Sequence, residues 1–344
     1  MTRRAVLICP GRGTYNKPEL GTLKRHHAGH PLLAKFDAMR AAQGQETVTA
    51  LDAAERYSVA TYSRGDIASP LIYAASLLDA QTLAEDIEIM AVTGNSMGWY
   101  IALAAAGAVT PEAGFEIVNT TGHLMQERLI GGQIVYPHTG ANWQPDPARK
   151  AALLAQVSEI DTRESHSLSL SIDLGGMLVL AGNEAGLKAF ESAVPPLENR
   201  FPMRLANHAA FHSALQAPVA AEAQKSLGPA LFSQPQRPLI DGRGAIWWPH
   251  ATDPAELRAY TLGHQITRPY DFTRAIAIAA REFAPDLFIL TGPGDTLGGA
   301  VAQSLITAHW QGMNTKEDFL TAQQSGPLLA AMGRPDQRAG VTAT

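Results

Sequence analysis

The apolar residues of this chain follow two rhythms. Unbroken runs rich in branched side chains, at 5–9, 87–93 and 287–290, predict buried strands, because a strand covered on both faces shows no alternation. Helical spacing of apolar positions, or Ala- and Leu-rich stretches without a breaker, predicts helices over 31–43, 70–84, 99–106, 112–129, 212–226 and 271–282. Thr110-Pro111 stands where a cap and first helical turn belong. Residues 44–66 are more polar and irregular. Strands alternating with helices predict an α/β fold built on a parallel sheet.

Each of the three strand runs ends in a glycine-bearing turn: Pro10-Gly11-Arg12-Gly13, Gly94-Asn95-Ser96-Met97-Gly98 and Thr291-Gly292-Pro293-Gly294. From about 131 to 202 the texture changes. Short strands are expected at 133–136, 167–172, 177–181 and 200–205, with helices at 147–158 and 184–193. That β-α-β-β-α-β order is the split pattern of a ferredoxin-like unit, and its length suits a small inserted domain. The expected organisation is a discontinuous large domain over 1–130 and 204–320, an insertion over 131–203, and a loose C-terminal tail over 321–344. Continuation of the large sheet through 131–202 is the alternative.

Composition narrows the function classes. The chain has 344 residues, 46% of them hydrophobic and 17% charged, which excludes a disordered or fibrous protein. With 27 Lys+Arg against 32 Asp+Glu the net charge is -5, so there is no basic surface on the scale that nucleic acid needs. Cys9 is the only cysteine, which removes an intramolecular disulfide and any cysteine-based metal cluster. A reducing, cytoplasmic setting fits. The first apolar run is too short for a signal-peptide core, and no stretch approaches the roughly 18 apolar residues of a membrane span, so no membrane association is expected.

Gly94-x-Ser96-x-Gly98 between a strand and a helix is the pattern of a nucleophile elbow. Its glycines let the backbone turn sharply, and the hydroxyl then stands at a helix head near amides that can stabilise an oxyanion. A serine needs a base, and the chain has 11 histidines. His212, in Ala210-Phe211-His212-Ser213, and His208 are the two candidates. His26 and His30 share the spacing of metal ligands on one helix face, but no HExxH pattern or acidic ligand accompanies them. A solvated basic patch with Lys24, Arg25 and His27 is the better reading, and no metal is expected. Neither a phosphate loop nor a G-x-G-x-x-G follows a strand, and Trp247-Trp248 reads as packing.

Taken in order, Pro10-Gly11-Arg12-Gly13, Gly94-Asn95-Ser96-Met97-Gly98, Thr121-Gly122-His123-Leu124-Met125-Gln126, Ala210-Phe211-His212-Ser213 and Gly292-Pro293-Gly294 resemble the malonyl-CoA:acyl-carrier-protein transacylase family and the related acyltransferase domains of polyketide synthases. The resemblance spans about residues 5–310. It implies a hydrolase-like large α/β domain with a ferredoxin-like insertion. It also implies ping-pong transfer of an acyl group from acyl-CoA to the phosphopantetheine thiol of an acyl carrier protein, with no cofactor beyond these substrates. Ser96 then corresponds to the acylated nucleophile, His212 to its base, and the amides of Arg12 and Met97 to the oxyanion hole. The main-chain carbonyl that orients the histidine falls at Gln265, in Gly263-His264-Gln265-Ile266. An ordinary α/β-hydrolase would need its histidine near the C-terminus, where His309 stands without a motif.

Several positions depart from the family. Where the malonyl enzymes carry an Arg for the free carboxylate, this chain has Thr121, whose hydroxyl cannot neutralise that charge. Arg12 replaces Gln, Asn95 replaces His before the nucleophile, and Trp99 replaces Glu after the elbow. Arg12, Asn95, Trp99 and Thr121 are therefore the expected acyl-binding residues. Such changes resemble those in relatives that move uncharged acyl groups or hydrolyse them. Unless Arg12 turns inward, an uncharged acyl-CoA is expected to outpace malonyl-CoA. Three activities fit the sequence: carrier-protein acylation, hydrolysis of the same acyl-serine, or binding by an inactive family member.

Overall fold

The structure is a computed structural model describing residues 2–343; Met1 and Thr344, the outer ends of the ranges read above, lie outside it. Strands β1 (Arg3–Cys9) and β2 (Ile87–Gly94) start the first sheet. A second is begun by β3 (Gly132–Pro137), β4 (Leu168–Leu174), β5 (Met177–Gly182) and β6 (Met203–Arg204). The chain then returns to the first sheet with β7 (Leu239–Ile240) and β8 (Ile246–Trp247) and visits the second with β9 (Tyr270–Asp271). It completes the first with β10 (Leu287–Leu290) and β11 (Leu329–Ala331).

The first sheet runs β11-β10-β1-β2-β7-β8 and is parallel except for the β7–β8 pair. Ala5 to Cys9 at its centre are all but inaccessible to solvent, which is why that run shows no polar alternation. The second sheet runs β6-β3-β5-β4-β9, antiparallel but for β4 with β9. Helices Pro147–Asp161 and Glu184–Ala193 pack on it. Its edge strand β9 comes from outside 131–203, so Tyr270 is held in register with Ile172 next to the site described below.

Two helices position that site from beneath. Helix Gly65–Ala80 begins five residues before Pro70, where the sequence pattern placed its start. A proline inside a helix strands the carbonyl four residues earlier, here that of Asp66, and the buried Arg40 Nη1 donates to it at 3.0 Å. This helix crosses Pro111–Arg128 at a pair of glycines. A Cβ on Gly65 would lie 2.8 Å from the Gly122 carbonyl oxygen, and one on Gly122 2.6 Å from that of Gly65.

The structure corrects three expectations about local order. The tail expected to be loose after 320 continues the helix Lys316–Ser325, adds β11 to the first sheet, and buries Val341. Its Gly- and Ala-rich composition suits close packing at a sheet edge, and Arg338 fastens it by an ion pair to the buried Asp79. Helix 212–226 begins only at Ala217, after a short turn at Ala214–Gln216, which leaves His212 on irregular backbone. The strand expected at 200–205 shortens to β6. Among the described residues no helix is long and apolar enough to cross a membrane.

Candidate active site

β2 ends at Gly94 and helix Gly98–Ala105 starts four residues later, so the chain must reverse within Asn95-Ser96-Met97. Ser96 takes φ of 55°, a left-handed conformation uncommon for a residue with a side chain. The flanking glycines are sterically required: a Cβ on Gly94 would collide with the Gly98 backbone, and one on Gly98 with the Cys9 carbonyl of β1. Gly98→Ala should therefore displace β1 or the elbow. We expect a loss of about 3 kcal/mol or more, since backbone cannot yield as a side-chain tip does, read as a Tm several degrees lower with activity reduced in parallel.

His212, also at φ of 55°, brings Nε2 to 2.8 Å from Ser96 Oγ. Its Nδ1 lies 2.6 Å from the Gln265 main-chain carbonyl. A carbonyl only accepts, so the proton sits on Nδ1 and Nε2 is left free to accept from the serine hydroxyl. Burial lowers His212 to about 4, opposed in part by the Gln265 carbonyl, and the ring is a neutral base at pH 7. The amides of Arg12 and Met97 donate to no other described residue. They are free for an anionic oxygen.

Gln265 does more than the sequence suggested. Its Nε2 donates to the Ser96 carbonyl at 2.9 Å and its Oε1 accepts from the Tyr100 hydroxyl at 2.9 Å, tying the elbow to the segment that carries the histidine. Tyr270 donates to the Gly94 carbonyl at 2.5 Å from the other side. Neither tyrosine was singled out in the sequence, because nothing in a local pattern marks a tyrosine that bonds across elements. His208 is placed differently from His212. Its Nδ1 lies 2.8 Å from Gln133 Oε1, Gln133 Nε2 donates to Ser171 at 2.7 Å, and Ser171 donates to the Phe211 carbonyl at 2.8 Å. This chain of bonds fixes the backbone one residue before His212.

Two cavities share Arg12, Ser96 and Phe211. One, of about 30 Å³, is also lined by Thr121, Gly122 and Met125. The other, of about 320 Å³, reaches Asn95 and the apolar face of the second sheet at Val135, Ile172 and Leu174. Asn95 Oδ1 is buried without a hydrogen-bond partner, an acceptor open to a ligand N–H or O–H. Thr121 faces the small cavity, but its hydroxyl donates back to the Ile117 carbonyl at 2.7 Å. Trp99 lines neither cavity. It is fully buried, donates to Thr261 Oγ1 at 3.0 Å and packs edge-on against Tyr260, so the expectation that it binds the acyl group is corrected. Successive side chains of a helix are turned by about 100° from one another, and at position 99 that turn sends the indole into the core.

His309 is exposed, its Nδ1 2.7 Å from Asn314 Oδ1, and it lies in neither cavity with Ser96. The basic patch is only partly solvated: His27 is buried with Nε2 2.8 Å from Asp79 Oδ1. Among the described residues no three His, Cys, Asp or Glu side chains are placed to hold a metal ion.

No protein-family model matches the chain. It is 22% identical over 223 residues to the malonyl-CoA–acyl carrier protein transacylase of Salmonella typhimurium, covering 65% of this chain and 68% of that one. Superposition on the acyl-carrier-protein S-malonyltransferase of Burkholderia pseudomallei gives a TM-score of 0.74 at 19% identity, covering 98% of each chain. The malonyl-CoA:ACP transacylase of Synechocystis gives 0.73 at 17%, covering 98% of this chain and 100% of the other. A malonyl-transacylase solved with a type II polyketide synthase acyl-carrier protein gives 0.68 at 19%, over 94% and 100%. The chain thus shares the fold of solved malonyl-CoA:acyl-carrier-protein transacylases and is similar in sequence to one of them over about two thirds of its length.

Proposed function

We propose that the protein is an acyltransferase that moves an acyl group from CoA to the phosphopantetheine thiol of an acyl carrier protein through an acyl-Ser96 intermediate. The observation that carries this reading is the Ser96 Oγ to His212 Nε2 contact of 2.8 Å, with the histidine oriented by a carbonyl and two free amides beside the serine. Ser96 Oγ attacks the thioester carbonyl carbon while its proton passes to His212 Nε2. The amides of Arg12 and Met97 hold the oxygen of the tetrahedral intermediate. The C–S bond breaks, and the CoA thiolate takes the proton from Nε2. In the second half the carrier thiol gives its proton to Nε2, attacks the acyl-serine, and Ser96 Oγ recovers the proton. No cofactor enters either half.

The larger cavity suits the pantetheine arm that both thioesters share. The transacylase solved with an acyl-carrier protein supports such a partner here. Work on carrier-bound acyl groups belongs to fatty-acid or polyketide assembly in the cytoplasm. Burial pushes the Cys9 thiol up to about 12, so it offers no competing nucleophile.

The test is incubation with a panel of acyl-CoAs, intact-mass measurement of the adduct, then addition of carrier protein. Movement of the acyl group onto the carrier is expected. Free acid released at the same rate with or without carrier would make the protein a hydrolase instead. Because His212 is lowered to about 4, the acylation rate should stay flat from pH 8 down to about 5 and fall only as Nε2 becomes protonated near 4. A falling limb near 6.5 in the pH–rate profile would contradict the buried, carbonyl-oriented base.

A further inference from the structure

The two free amides beside Ser96 belong to peptides whose far ends are gripped by side chains. In a trans peptide the carbonyl and the N–H point opposite ways in one plane, so a donor that holds the oxygen from behind also aims the hydrogen in front. The Met97 N–H shares its peptide with the Ser96 carbonyl, which accepts from Gln265 Nε2 at 2.9 Å and from the Trp99 N–H at 3.0 Å. The Arg12 N–H shares its peptide with the Gly11 carbonyl. That oxygen accepts from Thr14 Oγ1 at 3.0 Å, and no main-chain N–H of a described residue reaches it. The Arg12 side chain is bonded to the Ser63 and Asn207 carbonyls, which holds the residue in place but leaves the preceding peptide free to rotate. The turn is also pressed against the elbow. A Cβ on Gly11 would lie 2.6 Å from the Asn95 carbonyl oxygen and 3.4 Å from Ser96 Cβ, so this peptide stands next to the nucleophile.

Resting on the acyl-serine reading above, we infer that Thr14 is a positioning residue for acyl transfer: its hydroxyl holds the Gly11 carbonyl so that the Arg12 N–H points at the oxygen of the tetrahedral intermediate. Thr14 is buried and lines neither cavity that contains Ser96, so it acts through the peptide rather than on the substrate. Accepting the hydroxyl proton also polarises the Gly11–Arg12 peptide and strengthens its N–H as a donor. Without that bond the glycine at 11, which has no Cβ to confine it, lets the peptide plane turn. The negative charge on the oxygen develops only as Ser96 attacks, so the loss falls on the rate of the chemical step and spares binding of the thioester.

The experiment follows single-turnover acylation of Ser96 by rapid quench and intact mass, with malonyl-CoA and with acetyl-CoA, in the wild type, Thr14→Val, Thr14→Ala and Thr14→Ser. A first-order rate constant for the chains that become acylated is independent of any fraction that fails to fold. Thr14→Val, which keeps the shape and deletes the hydroxyl, and Thr14→Ala should each lower the limiting rate constant by about tenfold, less than the loss of a whole oxyanion donor, with the half-saturating thioester concentration unchanged. Thr14→Ser should restore the wild-type rate constant. A limiting rate constant unmoved in Thr14→Val, a loss confined to the half-saturating concentration, or a loss that Thr14→Ser does not restore overturns the role of Thr14 and leaves acyl transfer standing. Absence of any adduct on the wild type overturns both.

Discussion

Ser96→Ala forms no acyl adduct when exposed to any acyl-CoA that labels the wild type. The variant loses the one oxygen placed 2.8 Å from His212 Nε2 and nothing else, since Ala keeps the Cβ that the left-handed turn already accommodates. Ser96 is partly exposed and its hydroxyl bonds only to the buried His212 Nε2, so Tm should fall by no more than a few degrees, the cost of one lost hydrogen bond. Intact-mass spectrometry reads the first outcome and a thermal melt the second. A full adduct on Ser96→Ala would remove this serine from the reaction.

His212→Ala should slow acylation by about 100-fold or more, because a serine hydroxyl without a base is a weak nucleophile at neutral pH. His208→Ala should cost less than about tenfold. Its ring meets Gln133 rather than Ser96, and burial together with the Arg12 charge holds it well below the usual histidine range, neutral and structural. Stopped-flow acylation of the two variants separates them. A larger loss at His208 would mean that the histidine paired with Ser96 had been misassigned.

The difference between these two histidines was only half legible in the sequence. Both stand in one short segment ahead of a helical pattern, and composition treats them alike. What separates them is the left-handed backbone at His212, which swings its ring across to the elbow, and the Gln265 carbonyl 53 residues later that fixes its tautomer. Gln265 was reachable as a main-chain acceptor through family resemblance. Its side-chain bonds to Ser96 and Tyr100 were not, because a buried amide shows no spacing that betrays its partners.

Trp99 and Arg12 show the same limit with opposite outcomes. Both sit beside the nucleophile's loops and both replace a polar residue of the family. The bulky Trp99 turned into the core, where its indole N–H found Thr261, whereas the charged Arg12 turned toward the cavities. Direction at a helix start or a tight turn depends on the local dihedrals and on which partner lies within reach, and neither is written in the residue itself.

By itself the sequence determined the strand runs of the parallel sheet, the split βαββαβ texture, and the Gly-Ser-Gly elbow. These rest on local physics: periodicity of burial, and turns that only glycine can make without collision. The tertiary structure alone decided that β9 would leave its chain neighbours β8 and β10 for the second sheet, that β11 would add to the first beyond the expected end of the domain, that Asp66's carbonyl would be satisfied by Arg40, and that Arg12 would lie without an ion pair beside Ser96. Each of those outcomes joins groups distant along the chain, whose meeting is set by the packing of the whole core rather than by any segment's own preference.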